Sequence, residues 1–155
     1  ASFAVTANDD AGYELGERLA RDAGGRPFRI ADERKPLYHA AAVFASNYVV
    51  TVTALAEELE RTAGVPDPLG ALTPLQEATL ANVRRVGPAE ALTGPAVRGD
   101  AITLQRNLEA LALHAPEAVR PYVALADLAL ALAERSGRVP NEGREAVEEV
   151  LVRWR

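Results

Sequence analysis

Cysteine and methionine are absent from this chain of 155 residues, and lysine and histidine are nearly so. Without cysteine there can be no disulfide framework, thiol nucleophile or cysteine metal site. His39 and His114 are too few for a multi-histidine zinc site, so we predict no bound metal. Because even an initiating methionine is missing, we expect a piece of a longer polypeptide, or a processed one.

Long apolar runs and a large excess of one charge are also missing. No strictly apolar run reaches about 18 residues, so we expect no membrane span, and no signal peptide opens the chain. Seventeen basic and twenty-two acidic residues give a net charge of −5, which does not favour nucleic acid or an anionic membrane as a partner. Hydrophobic residues make up 48% and charged residues 25% of the chain. This balance is typical of a globular domain, and we expect it in the cytoplasm.

The first 31 residues have the pattern of a strand, a helix and a second strand. Residues 3–6 and 27–30 are the strand candidates, and the helix between them runs from a cap at Asn8 or Asp9 to about Ala23. Such a unit is the repeating piece of a parallel sheet, and two strands alone do not make a stable sheet. We therefore interpret residues 1–31 as the trailing edge of a larger α/β domain that is missing.

Residues 36–155 are predicted to form a bundle of about five longer helices with short connections. Residues 37–63 contain no Gly or Pro and span about 40 Å as one helix. Its first half is apolar nearly all round, which is typical of a helix buried at the centre of a bundle. Further helices are expected from a capping box at Thr73 to Val86, from Asp100 to His114, from Pro116 to Arg135, and from Asn141, after Pro140, to Trp154. We expect Val119, Leu125, Leu128 and Leu132 in the core, and an irregular segment over residues 91–100.

Polar residues on the long helix form the first candidate site. On a continuous helix, Ser46, Asn47 and Thr53 lie within about 80° of His39. Histidine can supply a proton near neutral pH, and asparagine can donate to a carbonyl or carboxylate. Alternatively, His39 is a hydrogen-bonded core histidine and the other three side chains make contacts between helices.

The segment from Thr93 to Thr103 is the second candidate site. A glycine-rich turn that leads into a helix presents backbone N–H groups, and Arg98 adds guanidinium donors, so the segment could hold an anion. Alternatively, it is a tight turn in which Arg98 pairs with an acid and Asp100 only caps the next helix. Arg84 and Arg85 are best interpreted as solvated charges. No G-x-G-x-x-G or P-loop occurs, so nothing here holds a dinucleotide by itself.

Three motifs together resemble a known family. They are Tyr38-His39-Ala40-Ala41-Ala42-Val43-Phe44-Ala45-Ser46-Asn47-Tyr48, then Thr73-Pro74-Leu75, then Leu92-Thr93-Gly94-Pro95-Ala96-Val97-Arg98-Gly99-Asp100 with Thr103. In this order they are similar to the C-terminal half of Rossmann-like proteins that carry the domain of unknown function 2520. The resemblance covers about residues 1–135.

That family in turn resembles pyrroline-carboxylate reductases, 6-phosphogluconate and 3-hydroxyacid dehydrogenases, and ketopantoate reductases. The resemblance implies a mainly α fold, a helical bundle of the 6-phosphogluconate dehydrogenase C-terminal type, preceded by a strand-helix-strand remnant of a Rossmann-like domain. Residues 36–155 would form a homodimer and close a small-molecule substrate cleft against an upstream Rossmann-like domain. That domain would bind NAD(P), whereas this chain alone would bind no cofactor and be inactive.

The implied reaction is hydride transfer to a small carbonyl or imine, for which a keto acid such as ketopantoate is an analogy. His39 would exchange the proton, and Asn47, helped by Ser46, would orient the carbonyl or bind the nicotinamide side. Arg98 and the backbone of Gly94 and Gly99, with Thr103 beside them, would hold a substrate carboxylate or complete a cleft across the dimer. Related hydroxyacid dehydrogenases use a lysine and an asparagine four residues apart, and this chain lacks that pair. An alternative is a non-catalytic dimerisation domain of a sensor or a degenerate reductase.

Overall fold

The computed structural model describes residues 1–138 and 141–155. It is mainly helical, with 77% helix and 5% strand, and a short parallel two-stranded element precedes the helices. The predicted fold class is therefore confirmed. The chain divides into two compact units, Ala1–Val52 and Thr53–Arg155.

The first unit opens with the predicted strand-helix-strand. Strand β1 (Ser2–Val5) pairs in parallel with β2 (Arg26–Arg29), with Ser2 opposite Arg26. Helix α1 (Asp10–Asp22) lies between them in sequence and begins where the Asp9 carboxylate accepts a 2.7 Å hydrogen bond from the Gly12 amide. This cap satisfies one of the free N–H groups of the first turn.

The predicted long helix is divided into two. A 3₁₀ turn (Asp32–Arg34) leads into α2 (Lys35–Ala45), and α3 (Asn47–Thr62) follows. Ser46 lies between them with φ −129° and ψ −72°, outside the helical region. The prediction of one uninterrupted helix was wrong, since the absence of Gly and Pro does not by itself guarantee helical continuity.

The expectation that this helix is buried was also wrong. Neither α2 nor α3 contains a fully buried residue. Between Leu37 and Val52, seven large apolar side chains are 44–69% exposed: Leu37, Tyr38, Phe44, Tyr48, Val49, Val50 and Val52. The chain's own core is built instead from helices later in the sequence, which leaves this apolar surface uncovered.

The stretch Asp32–Thr62 also meets a length and composition criterion for crossing a membrane. Its most apolar 18 residues have a mean hydropathy of 1.3, and none of that window is buried. Our expectation rested on strictly apolar runs and missed this averaged value. One such stretch is weak evidence for a span, because only length and composition are tested.

The second unit contains the remaining helices. They are α4 (Pro68–Val86), the short α5 (Pro88–Ala91) and α6 (Pro95–Arg98), α7 (Ala101–His114), α8 (Val119–Arg135) and α9 (Asn141–Trp154). The segment 91–100, which we expected to be irregular, thus contains one single turn of helix, α6, and α5 ends at its first residue. A 3₁₀ turn (Pro116–Ala118) precedes α8. Pro140, expected before the last helix, lies outside the described residues.

Helix α4 begins six residues before the predicted start, since its cap is Asp67 and not Thr73. Asp67 accepts a 3.1 Å hydrogen bond from the Gly70 amide, and Pro68 occupies the first turn. The Thr73 hydroxyl donates back to the Leu69 carbonyl instead of capping a helix. Pro74 lies inside α4, and the helix continues past it although proline lacks the backbone N–H that would donate one intrahelical hydrogen bond.

The core of the second unit lies where α6, α7, α8 and α9 pack together. Its buried residues are Ala96, Leu104, Leu108, Val123, Leu130, Val147, Val150 and Leu151. Of the four predicted core residues, Val119 packs partly buried against this cluster and Leu132 is half-buried, whereas Leu125 and Leu128 are exposed. The buried face of α8 instead carries Val123, Leu130 and Ala133, so the predicted face of this helix was wrong.

Candidate functional site

His39 lies near the start of α2, shortly after the carboxyl end of β2. The ring of the preceding residue, Tyr38, meets Phe28 of β2 edge-on, with ring centroids 5.8 Å apart. The ammonium of Lys35 pairs with Asp32 at 2.8 Å and joins the 3₁₀ turn to α2. The His39 side chain is exposed. The alternative of a buried core histidine therefore does not apply within this chain.

The next two predicted residues lie at the break between α2 and α3. Ser46 and Asn47 are both exposed. The Ser46 carbonyl accepts from the Val50 amide at 3.2 Å, and the Asn47 carbonyl accepts from the Thr51 hydroxyl at 3.1 Å. Because Ser46 is not helical, the angles calculated for a continuous helix do not apply across it. The break leaves the side chains of Ser46 and Asn47 available to solvent or a ligand.

Thr53 differs from the other polar residues of the predicted stripe. Its hydroxyl accepts a 2.6 Å hydrogen bond from Gln76 Nε2 of α4. Thr53 thus makes a contact between helices in the second unit, as the alternative interpretation of the stripe predicted for it. His39, Ser46 and Asn47 belong to the first unit.

The second candidate segment is ordered around Asp100. This carboxylate accepts hydrogen bonds from the Thr103 amide at 3.0 Å and from the Thr103 hydroxyl at 2.7 Å. These bonds lower the pKa of Asp100, and the nearby positive charges of Arg98 and Arg106 lower it further. The N-terminus of α7 therefore already holds a carboxylate of its own, and the Thr103 hydroxyl is engaged.

The surroundings of Arg98 and Gly94 suit a ligand better than those of Asp100 and Thr103. Arg98 is exposed, and no ion pair of this residue is found among the described residues. Gly94 has φ +118°, and no atom lies within 4 Å of where a side chain would begin. The anion-holding role stays a prediction, with Arg98 as the cation that this segment presents to solvent.

Gly99 has a structural reason to be glycine. Its φ is +70°, and an added Cβ would lie 2.6 Å from the Cα of Gly143 in α9. Real side chains essentially never approach so closely. The residue therefore allows close contact between the start of α7 and α9, in addition to any contact that its backbone makes with a substrate.

Sequence reasoning missed the interactions of Arg138. One of its guanidinium nitrogens, Nη1, lies 2.6 Å from the Ala89 carbonyl oxygen, 3.0 Å from that of Leu92 and 3.1 Å from that of Glu90. No local pattern could reveal this, since the acceptors precede the donor by 46–49 residues.

It also missed an apolar cavity of about 510 Å³ near the C-terminal ends of α3 and α7. Leu59, Leu111 and Ala115 contribute to its apolar wall. At its polar side, Asn107 donates a 2.9 Å hydrogen bond to the Tyr122 hydroxyl. The contributing residues are spread over three helices, so the sequence carries no single motif for this cavity.

The N-terminus of α1 and the acidic and histidine side chains are the described places where a nucleotide phosphate or a metal ion would be held. In a nucleotide-binding unit, the first helix after a strand receives the pyrophosphate at its N-terminus. Here the Asp9 carboxylate occupies that position on α1, with Asp10 beside it. Within residues 1–138 and 141–155, no group of three histidine, aspartate or glutamate side chains could hold a metal.

A family model, the domain of unknown function DUF2520, matches residues 1–129. The chain belongs to this family. The match spans the predicted strand-helix-strand, the His39 helix and the Gly94–Thr103 segment, and it ends inside α8. Neither the curated proteins nor the solved structures compared with the chain contain a match. Arg138 and the whole of α9 lie beyond the matched part of this DUF2520 chain.

Proposed function

We propose that this DUF2520 chain is the helical, dimerising and substrate-covering part of an NAD(P)-dependent oxidoreductase in the cytoplasm. The supporting observation is the place of His39. It is an exposed histidine on the helix that follows the carboxyl end of a strand in a parallel strand-helix-strand unit. In open α/β sheets, ligands bind outside the carboxyl ends of the strands. The resemblance to pyrroline-carboxylate reductases and 6-phosphogluconate dehydrogenases that we expect from the sequence motifs would imply the same class.

In this proposal, residues outside this chain hold the nicotinamide nucleotide. The chain supplies proton transfer and substrate contacts. His39 gives a proton to the oxygen or nitrogen of a small carbonyl or imine as it is reduced, since a positioned histidine can act as a general acid. Asn47 and Ser46, exposed at the helix break, donate hydrogen bonds that orient this group.

The second unit would hold a substrate carboxylate. Arg98 presents an exposed guanidinium, which pairs well with planar carboxylates. Gly94 and Gly99 would contribute backbone contacts. The Thr103 hydroxyl would have to give up its hydrogen bond to Asp100 before it could donate to a substrate. Small keto acids carry such a carboxylate, and ketopantoate is an analogy for a substrate of this class.

The proposal is tested by replacing His39 with alanine in the natural polypeptide. NADH and NADPH oxidation would be measured with a panel of small keto acids and cyclic imines. Loss of a positioned proton donor typically lowers the rate by about 10²–10⁴-fold. His114→Ala is the matched control, because His114 is the chain's other histidine and is also exposed. Near-normal turnover by His39→Ala would contradict the catalytic role.

We also propose that the protein is a homodimer through α2 and the first half of α3. No charged residue occurs between Pro36 and Ala56, and seven large apolar side chains there are exposed. Exposed apolar surface of this kind marks an interaction site. A second copy of the chain offers the same apolar surface, and a two-fold pair would cover both.

The exposed apolar surface also favours a second candidate function, a dimerisation domain without catalysis. Here His39 and Arg98 would be ordinary surface residues of a sensor or a degenerate reductase. The upstream sequence of the natural polypeptide separates the two functions. An intact glycine fingerprint after a first strand supports the reductase, whereas a broken one, with no binding of NADH or NADPH, supports the assembly role.

A further inference from the structure

The segment from Leu92 to Gly99 is held at both ends by residues that lie beyond the family match. At its start, the Arg138 guanidinium donates to the carbonyl oxygens of Ala89, Glu90 and Leu92. At its end, the backbone of Gly99 lies against the backbone of Gly143 in α9. Arg138 follows α8, and Gly143 lies in the first turn of α9. Two residues that are five positions apart in the sequence therefore hold the two ends of the segment.

Arg138 meets a specific need of the short helix α5. The last carbonyl groups of a helix have no partner within it, and they carry partial negative charge. Arg138 supplies hydrogen-bond donors and a positive charge there, and its contacts with Ala89 and Leu92 are partly buried. Hydrogen bonds from a charged donor are stronger than neutral ones.

We propose that Arg138 is a positioning residue that fixes the conformation of the segment Leu92–Arg98, and with it the surface that Gly94 and Arg98 present. The C-terminal region thereby becomes part of the candidate site without contacting a ligand. Any effect of Arg138 on substrate binding rests on the proposed function. Its effect on the conformation of the segment is independent of that function and can be measured without a substrate.

The test measures amide hydrogen exchange by NMR at three N–H groups, two within the segment and one directly after it. The amides of Leu92, Arg98 and Asp100 donate to the carbonyls of Pro88, Gly94 and Pro95, so each reports whether the segment is formed. Arg138→Ala should accelerate exchange at these three amides by at least about tenfold, because charged hydrogen bonds to Ala89, Glu90 and Leu92 are lost. The Ala115 amide, bonded to the Leu111 carbonyl at the other end of α7, should keep its rate.

Two further variants complete the test. Arg138→Lys keeps the charge without the planar fork of donors, so its exchange rates should fall between those of the wild type and Arg138→Ala. Arg135→Ala removes an exposed arginine at the end of α8 and should leave the rates unchanged. Unchanged exchange in Arg138→Ala, or equal acceleration at Ala115, would overturn the positioning role. A natural polypeptide without reductase activity would overturn the proposed function and leave this result intact.

Discussion

The two units of this protein contain similar kinds of residues but use their apolar side chains differently. In Thr53–Arg155, Leu104, Leu108, Val147 and Leu151 are less than 2% exposed. In Ala1–Val52, Ala20 is the buried residue, while Leu37, Phe44 and Val50 are 63–69% exposed. The second unit has a core of its own, whereas the first presents apolar surface to its surroundings. High apolar content thus indicates burial, but not by which molecule.

The largest expected effect tests the core of the second unit. Leu108→Ala should lower the free energy of unfolding by about 2–5 kcal/mol, since it leaves a cavity in packed surroundings. Leu113→Ala, on the same helix but 75% exposed, should change it by less than about 0.5 kcal/mol. Urea denaturation of both variants measures the difference. Equal effects would mean that α7 does not present its described face to the core.

The second prediction tests the apolar surface of the first unit. Phe44→Glu should weaken the proposed dimer by about a hundredfold in Kd, because a charge would be buried at the interface. Leu113→Glu is the control on an exposed apolar residue of the second unit. Sedimentation velocity over a concentration series measures both.

A well-folded wild-type monomer at micromolar concentration would contradict the dimer. Flotation with neutral phospholipid vesicles adds a separate outcome. Partition of the monomer into vesicles would assign the exposed surface of Asp32–Thr62 to lipid instead of a second chain.

The third prediction compares two glycines of the second unit that have nearly the same backbone conformation. Gly99 and Gly137 have φ of +70° and +66°. Alanine at Gly137 should destabilise by about 1–2 kcal/mol through the left-handed backbone alone, since no atom lies within 4 Å of its Cβ position. Alanine at Gly99 should cost about 1–3 kcal/mol more, because its Cβ meets Gly143. Thermal unfolding measures the stability of the two variants, and equal losses of stability would contradict this account.

The smallest effect concerns pH. Hydrogen bonds from Thr103 lower the pKa of Asp100, so the folded state favours the carboxylate. The stabilisation is present above the pKa of the unfolded chain, about 3.9, and is lost as pH falls through the lower folded-state pKa. In an NMR titration, Thr103→Val should move the pKa of Asp100 back toward its usual range. If the pKa of Asp100 is the same in this variant as in the wild type, the Thr103 hydroxyl contributes nothing to lowering it.

Much of the fold follows from local pattern. The strand-helix-strand, the Asp9 and Asp100 caps, and the ends of α4, α7 and α8 were predicted correctly, because caps, glycines and prolines act within a few residues. The start of α4 was missed because two adjacent signals competed. Asp67 with Pro68 capped the helix, and Thr73 with Pro74 lay inside it.

Local sequence patterns were enough to predict the helix-rich class and the family, and they singled out His39, Asn47 and Arg98 as candidate residues. Three features became apparent only in the folded chain: the break at Ser46, which face of α8 is buried, and the contacts of Arg138 and Gly99. The contacts of Arg138 and Gly99 could not be predicted because their partners are far away along the chain. Arg138 bonds to carbonyls 46–49 residues away, and Gly99 contacts Gly143, so neither partner contributes to a local pattern.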